Sequence, residues 1–223
     1  VSGWWGKGAP STIKSVYPKK IAESLSSGNH PEEFATLFVT LLRQLVMGRP
    51  VSREALGTAL GWSGQRVATV LEPAPGTEYD EQGNIIGLVL TLRETPHVFE
   101  VDGRRLYTWW ALDTLMFPAL IGKTARVTSR CAATGRPITL TVAPEAVLQV
   151  EPAETMVSLL TPDASPDIRC SFRCHVHFFA SPSVANAWAS THPGIELVPV
   201  ENAFGLGHLI AHKLLEDSER NTA

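Results

Sequence analysis

One stretch constrains this chain more than any other: Gly103-Arg104-Arg105-Leu106-Tyr107-Thr108-Trp109-Trp110-Ala111-Leu112-Asp113-Thr114-Leu115-Met116-Phe117-Pro118. It opens in a turn, passes through an aromatic cluster and then becomes almost wholly apolar. A segment this apolar must be buried on most of its surface, so the fold has to be assembled around it. Asp113 is the only carboxylate in it. Burial penalises the charged form, so Asp113 should hold its proton more tightly than an ordinary aspartate, which is how a general acid or base is tuned. Two plainer roles stay open from the residues alone: Asp113 could cap a helix, or pair with Arg104 or Arg105.

A second dense run is Cys170-Ser171-Phe172-Arg173-Cys174-His175-Val176-His177-Phe178-Phe179. The expectation is that the two runs meet and form the site. His175 and His177 alternate around Val176, so on a strand they share a face. That suits metal ligation, but with no third ligand nearby a hydrogen-bonded structural pair is favoured. Arg173, between Phe172 and Cys174, needs an anion: Asp113, or a ligand carboxylate or phosphate.

With 223 residues, 44% apolar and 18% charged, the chain is large enough for one sizeable core and a small second unit. No apolar run approaches the roughly 20 residues of a membrane helix. The N-terminal region has lysines but no apolar segment of the signal-peptide kind. The net charge of -3 argues against broad nucleic-acid binding. Three cysteines, Cys131, Cys170 and Cys174, fit a reducing compartment and a cytoplasmic location. Cys170 and Cys174, four apart without a second Cys/His pair, do not make a structural zinc site.

In order, residues 1–30 read as an arm. Pro31 starts a helix with Phe34, Leu37, Phe38, Leu41, Leu42 and Leu45 at helical spacing, ended by Gly48. Ser52 caps a second helix that Gly61 breaks, and Ser63 caps a third. A hairpin follows, with Glu78-Tyr79-Asp80 before the turn and Ile85 to Leu90 after it. Together these make a helix-turn-helix with a wing over residues 31–95. Only Arg66 is basic in the third helix, so nucleic-acid binding is not expected.

Residues 96–216 form the larger unit. His97 to Val101 reads as a strand, Asp102-Gly103 as a tight turn and Leu106 to Leu115 as a helix limited by Pro118. Strands follow near 125–129, 138–142, 147–150, 156–160, 174–179 and 196–200. Trp188 sits in a helix, 201–216 form the last helix, and 217–223 form a frayed tail. The class is α+β: a small winged-helix-like N-terminal domain, then a mixed or antiparallel sheet flanked by helices.

The chain also resembles a known family. Arg49-Pro50-Val51-Ser52-Arg53, Gly83-Asn84-Ile85-Ile86-Gly87, Thr91-Leu92-Arg93-Glu94-Thr95, Ala111-Leu112-Asp113-Thr114-Leu115, Phe117-Pro118-Ala119-Leu120-Ile121-Gly122, Cys131-Ala132-Ala133-Thr134-Gly135, Cys174-His175-Val176-His177-Phe178-Phe179-Ala180-Ser181 and Ala203-Phe204-Gly205-Leu206-Gly207 look like the organomercurial (alkylmercury) lyases, over roughly residues 32–216. The resemblance implies cleavage of carbon–mercury bonds by protonolysis: two cysteine thiolates take the mercury and an aspartate moves the proton. It places the aspartate at Asp113 and the two thiols at Trp110 and Arg173. It also places non-catalytic cysteines at Cys131 and Cys174.

Neither indole nor guanidinium replaces a thiolate toward Hg(II), and Arg173 would repel a cation. The expectation taken forward is therefore a repurposed lyase-type site on a non-mercury organic anion. Asp113 would transfer the proton, Arg173 would clamp the anion, and Trp110, Trp109 and Phe172 would line the substrate. One alternative is a catalytically dead binder or regulator. The other is residual carbon–mercury cleavage, or Hg(II) binding, through Cys174 and Cys170. The expected partner is a small molecule, with no cofactor, no metal, no membrane, and a monomer or homodimer.

Overall fold

The structure, a computed structural model, describes residues 31–74, 76–160 and 175–220. Its helices are α1 (Pro31–Leu45), α2 (Arg53–Leu60), α3 (Gly64–Leu71), α4 (Ala111–Ile121), α5 (Pro182–Ala189) and α6 (Val200–Arg220). The strands are β1 (Glu78–Tyr79), β2 (Ile85–Leu88), β3 (Leu90–Thr91), β4 (His97–Val101), β5 (Arg104–Thr108), β6 (Ala125–Arg130), β7 (Pro137–Val142), β8 (Val147–Glu151), β9 (Met156–Leu160), β10 (Phe178–Phe179) and β11 (Ile195–Pro199). This is an α+β fold with a helical winged-helix unit followed by antiparallel sheets. No helix among the described residues is long and apolar enough to cross a membrane.

The caps read from the sequence are in place. Ser52 Oγ accepts from Ala55 N–H at 3.1 Å and Ser63 Oγ accepts from Arg66 N–H at 3.2 Å. These bonds satisfy amide donors that the first turn of each helix leaves free. Gly61 closes α2 in the left-handed conformation at φ 67°. Arg66, the one basic residue of α3, is held in an ion pair with Glu33 and lies over the Trp62 ring at 4.3 Å.

The wing does not stand apart from the rest. One eight-stranded sheet runs β1-β2-β3-β5-β4-β6-β7-β8, and β9 lies between β10 and β11 in a smaller one. Every pair is antiparallel, and the wing joins the larger unit through Leu90↔Thr108 and Thr91↔Tyr107. The expected single strand from Ile85 to Leu90 is broken at Val89, whose φ of 67° turns the chain.

α4 lies at the centre. Every residue in it except Ala119 is buried. Its Phe117 ring sits between Phe38 of α1, at 6.4 Å, and Phe99 of β4, at 6.2 Å, both edge-on. α6 packs along α4 and α1. The approach of α6 is close because Gly207 has no side chain: a Cβ there would lie 3.3 Å from Met116 N.

Four boundaries differ from expectation. Leu106 to Thr108 belongs to β5, because Asp102 and Gly103 both take positive φ and make a hairpin turn that returns a strand. Pro118 does not limit the helix; it lies inside α4, which runs on to Ile121 and closes at Gly122. The strand expected over 174–179 is reduced to Phe178 and Phe179 in the described residues. Ser158 accounts for this, because its hydroxyl donates to His175 O and accepts from His177 N–H, replacing regular ladder bonds. The polar tail does not fray at Asp217; α6 continues to Arg220, with Asp217 bonded to Lys213 at 2.7 Å and to Arg220 at 3.5 Å. Expectations for 1–30, for Phe172, Arg173, Cys170 and Cys174, and for 221–223 fall outside the described residues.

Replacing Gly207 by leucine forces α6 away from the Met116 backbone. Urea unfolding should show a loss of about 2–3 kcal/mol relative to the parent. An unchanged midpoint would mean that the two helices are not in contact there.

Candidate active site

The site is built at the N-terminus of α4. β5 delivers the chain to Trp109, whose N–H donates to Val89 O at 3.1 Å. Trp110 follows as the N-cap in extended conformation. An indole carries a donor and no acceptor, so Trp110 cannot cap the helix with its side chain. Asp113 reaches back instead: its Oδ2 accepts the Trp110 N–H at 2.8 Å. Thr108 Oγ donates to Trp110 O at 3.0 Å and Thr114 Oγ to Ala111 O at 2.7 Å, fixing both sides of the turn. The Trp109 and Trp110 rings meet edge-on at 5.8 Å.

Asp113 is 3% exposed. Burial pushes its carboxyl well above the usual range, and the single Trp110 N–H offsets only part of that. It is therefore both a helix-terminal acceptor and a desolvated acid. Arg104 and Arg105 are engaged elsewhere than at Asp113: Arg105 pairs with Glu100 at 3.2 Å and Arg104 lies 4.0 Å from Asp102.

The two runs do meet. Ala111 N–H points to Val176 O at 3.4 Å, joining the start of α4 to the 175–179 segment. The His175 and His177 rings both pack against Trp188 of α5, at 6.5 and 5.7 Å. Trp188 also stacks on His192 at 3.8 Å. Among the described residues no group of three or more His, Cys, Asp or Glu side chains is placed to hold a metal.

Two buried groups near this segment were not foreseen as perturbed. The first is His97. Its Nδ1 lies 2.8 Å from Ser129 Oγ and its ring meets Phe178 edge-on at 5.8 Å. Burial, with the nearby His177, pulls its pKa down to about 4. The alternation of β4 and β6 puts both residues on the buried face, a signal visible in the sequence. The second is Cys131, which the residues alone gave as inert packing. Burial raises its thiol, but hydrogen bonds from the Thr134 side chain and the Ala180, Ala133 and Thr134 backbone outweigh that and leave it below its ordinary value. Ala132 N–H donates to Phe178 O at 3.0 Å, tying this turn to the same segment.

Residues 90–212 match the family model described as alkylmercury lyase, and residues 17–89 match that of the helix-turn-helix domain of alkylmercury lyase. The alkylmercury lyase of Pseudomonas putida is 97% identical over 210 residues, covering 94% of this chain and 99% of that protein. This chain belongs to the alkylmercury lyase family. The Staphylococcus epidermidis alkylmercury lyase is 46% identical over 185 residues, covering 83% of this chain and 86% of that one. A crystal structure of the mercury-bound form of MerB2 superposes with a TM-score of 0.71 at 26% identity, covering 88% of this chain and 98% of that one.

This corrects the expectation of a lyase scaffold repurposed for a non-mercury organic anion. Near-identity along almost the whole length of a named alkylmercury lyase outweighs an inference drawn from two side chains, Trp110 and Arg173.

Opposing pH dependences should come from the two buried groups. The unfolded chain protonates its histidine near pH 6.5, while His97 resists down to about 4. Stability therefore falls as pH drops through that window, by about 3 kcal/mol. Asp113 acts the other way. Above the ordinary carboxylate pKa the unfolded chain ionises while the fold keeps the proton, so stability falls as pH rises until the folded pKa is passed. Thermal melts from pH 4 to 7 should therefore rise more steeply with pH in Asp113→Asn than in the parent, and less steeply in His97→Gln. Parallel profiles in all three proteins would contradict both assignments.

Proposed function

We propose that this chain cleaves carbon–mercury bonds by protonolysis, with Asp113 holding the proton that passes to the leaving carbon. The supporting observation is a carboxyl whose burial raises its hold on the proton, set at the start of a buried helix whose first N–H reaches the 175–179 segment. The carbon takes this proton together with the carbon–mercury bonding pair and leaves as a hydrocarbon. Mercury passes to sulfur, and the S–H proton of the incoming thiol returns to Asp113. A desolvated site favours this transfer because Asp113 enters as a neutral acid and needs no counter-ion.

Soft mercury requires a soft ligand. Cys174, two residues from Val176 in the chain, is the thiol this reading assigns, with Cys170 as the second. Trp110 and Arg173 stand where the resemblance expects cysteines, and neither can hold mercury. Release of hydrocarbon from an organomercurial should therefore be measurable but slow. Asp113→Asn should lower the rate by about 100-fold or more, and Cys174→Ser should lower it further than any stability loss explains. Parent turnover no higher than that of Asp113→Asn would overturn the proposal.

The double variant Trp110→Cys with Arg173→Cys supplies two soft ligands and removes a positive charge. Its kcat/KM for the same organomercurial should exceed that of the parent. An unchanged value would mean that these two positions do not bear on mercury capture.

A further inference from the structure

We propose that His208 and His212, on the exposed side of α6, form a second cation site, one that takes a borderline divalent transition ion. The two residues lie one helical turn apart and so share a face. Their Nε2 atoms converge to 2.9 Å. Two nitrogens bound to one cation at the 2.0–2.1 Å of a zinc–imidazole bond lie about 2.9–3.4 Å apart for cis to tetrahedral angles. The observed spacing fits the short end of that range. Without an ion, the same spacing is one hydrogen bond between two neutral rings.

Three further observations favour an ion. Among the described residues, His208 Nδ1 is buried and has no hydrogen-bond partner. The polar contacts of the His208 ring are therefore all at Nε2, the edge that faces His212 and Glu145 and where an ion would bind. The His208 ring is held by Phe204 at 5.6 Å, so its direction is set before any ion arrives. The Glu145 carboxylate, from the turn between β7 and β8, lies 3.6 Å from His208 Nε2 and is 82% exposed. It supplies negative charge beside the pair without itself completing a ligand set. The nearest cation in sequence, Lys213, is neutralised by Asp217 at 2.7 Å.

The site is thus a two-imidazole clamp, with water completing the coordination. Imidazole donors suit zinc, copper and nickel. With no sulfur here, the site is not built for the soft ion of the proposed reaction. Its effect would be to pin the middle of α6 against the β7–β8 turn, stabilising the fold through ion binding to the native state alone.

The test titrates the full chain with Ni2+ while following the ring signals of histidine by NMR. The His208 and His212 signals should broaden together, before those of His97, His175, His177 and His192, and Ni2+ should raise Tm. In His212→Gln the broadening of His208 and the Tm shift should both be lost. His212 is exposed and glutamine favours helix, so this variant keeps the fold. If the two rings broaden no earlier than the other histidines, or if His212→Gln keeps the Tm shift, the ion sits elsewhere and the proposal fails.

Discussion

A helix buried on nearly every side, with one carboxyl inside it, sets the terms for the rest of this structure. α4 exposes only part of Ala119, so nearly all of its surface must be matched by other elements. α1 and α6 cover one side and the large sheet covers the other, with Phe117 between Phe38 and Phe99. Gly207 serves that constraint, because a Cβ there would sit 3.3 Å from Met116 N, closer than an ordinary contact. The wing is drawn into the same core by the pairing of β3 with β5, so the helical unit and the larger sheet share one hydrophobic interior.

Placing Asp113 in that interior costs stability at neutral pH, because burial penalises its charged form. The hydrogen bond from Trp110 N–H orients the carboxyl and offsets only part of the effect of burial. The neighbouring threonines hold the turn rather than the acid. Such a carboxyl keeps its proton to higher pH than an exposed aspartate. The helix start that presents it touches the 175–179 segment, and the Cys131 turn is bonded to the same segment. The central helix, this segment and the Cys131 turn are thus held together by backbone hydrogen bonds.

Much of this was legible from residues. Ser52, Ser63 and Gly61 mark helix ends by local hydrogen bonding that owes nothing to distant contacts, and the structure uses all three as read. The alternating burial of β4 and β6 was equally local. The errors arose where tertiary context decides. Helical spacing from Leu106 hid the fact that a two-residue turn at Asp102-Gly103 requires a returning strand. Pro118 is tolerated in mid-helix, and Ser158 interrupts a strand from across the sheet. In the site, the desolvation of Asp113 could be read from its apolar neighbours, whereas its reach to Trp110 N–H needed the helix start to be known.

The central claim is that Asp113 holds its proton at neutral pH inside the folded protein. Infrared difference spectroscopy between the parent and Asp113→Asn tests it directly. The account predicts a protonated-carboxyl C=O band at pH 7 that is present in the parent and absent from the variant. A parent spectrum at pH 7 showing only the carboxylate bands of Asp113 would contradict it.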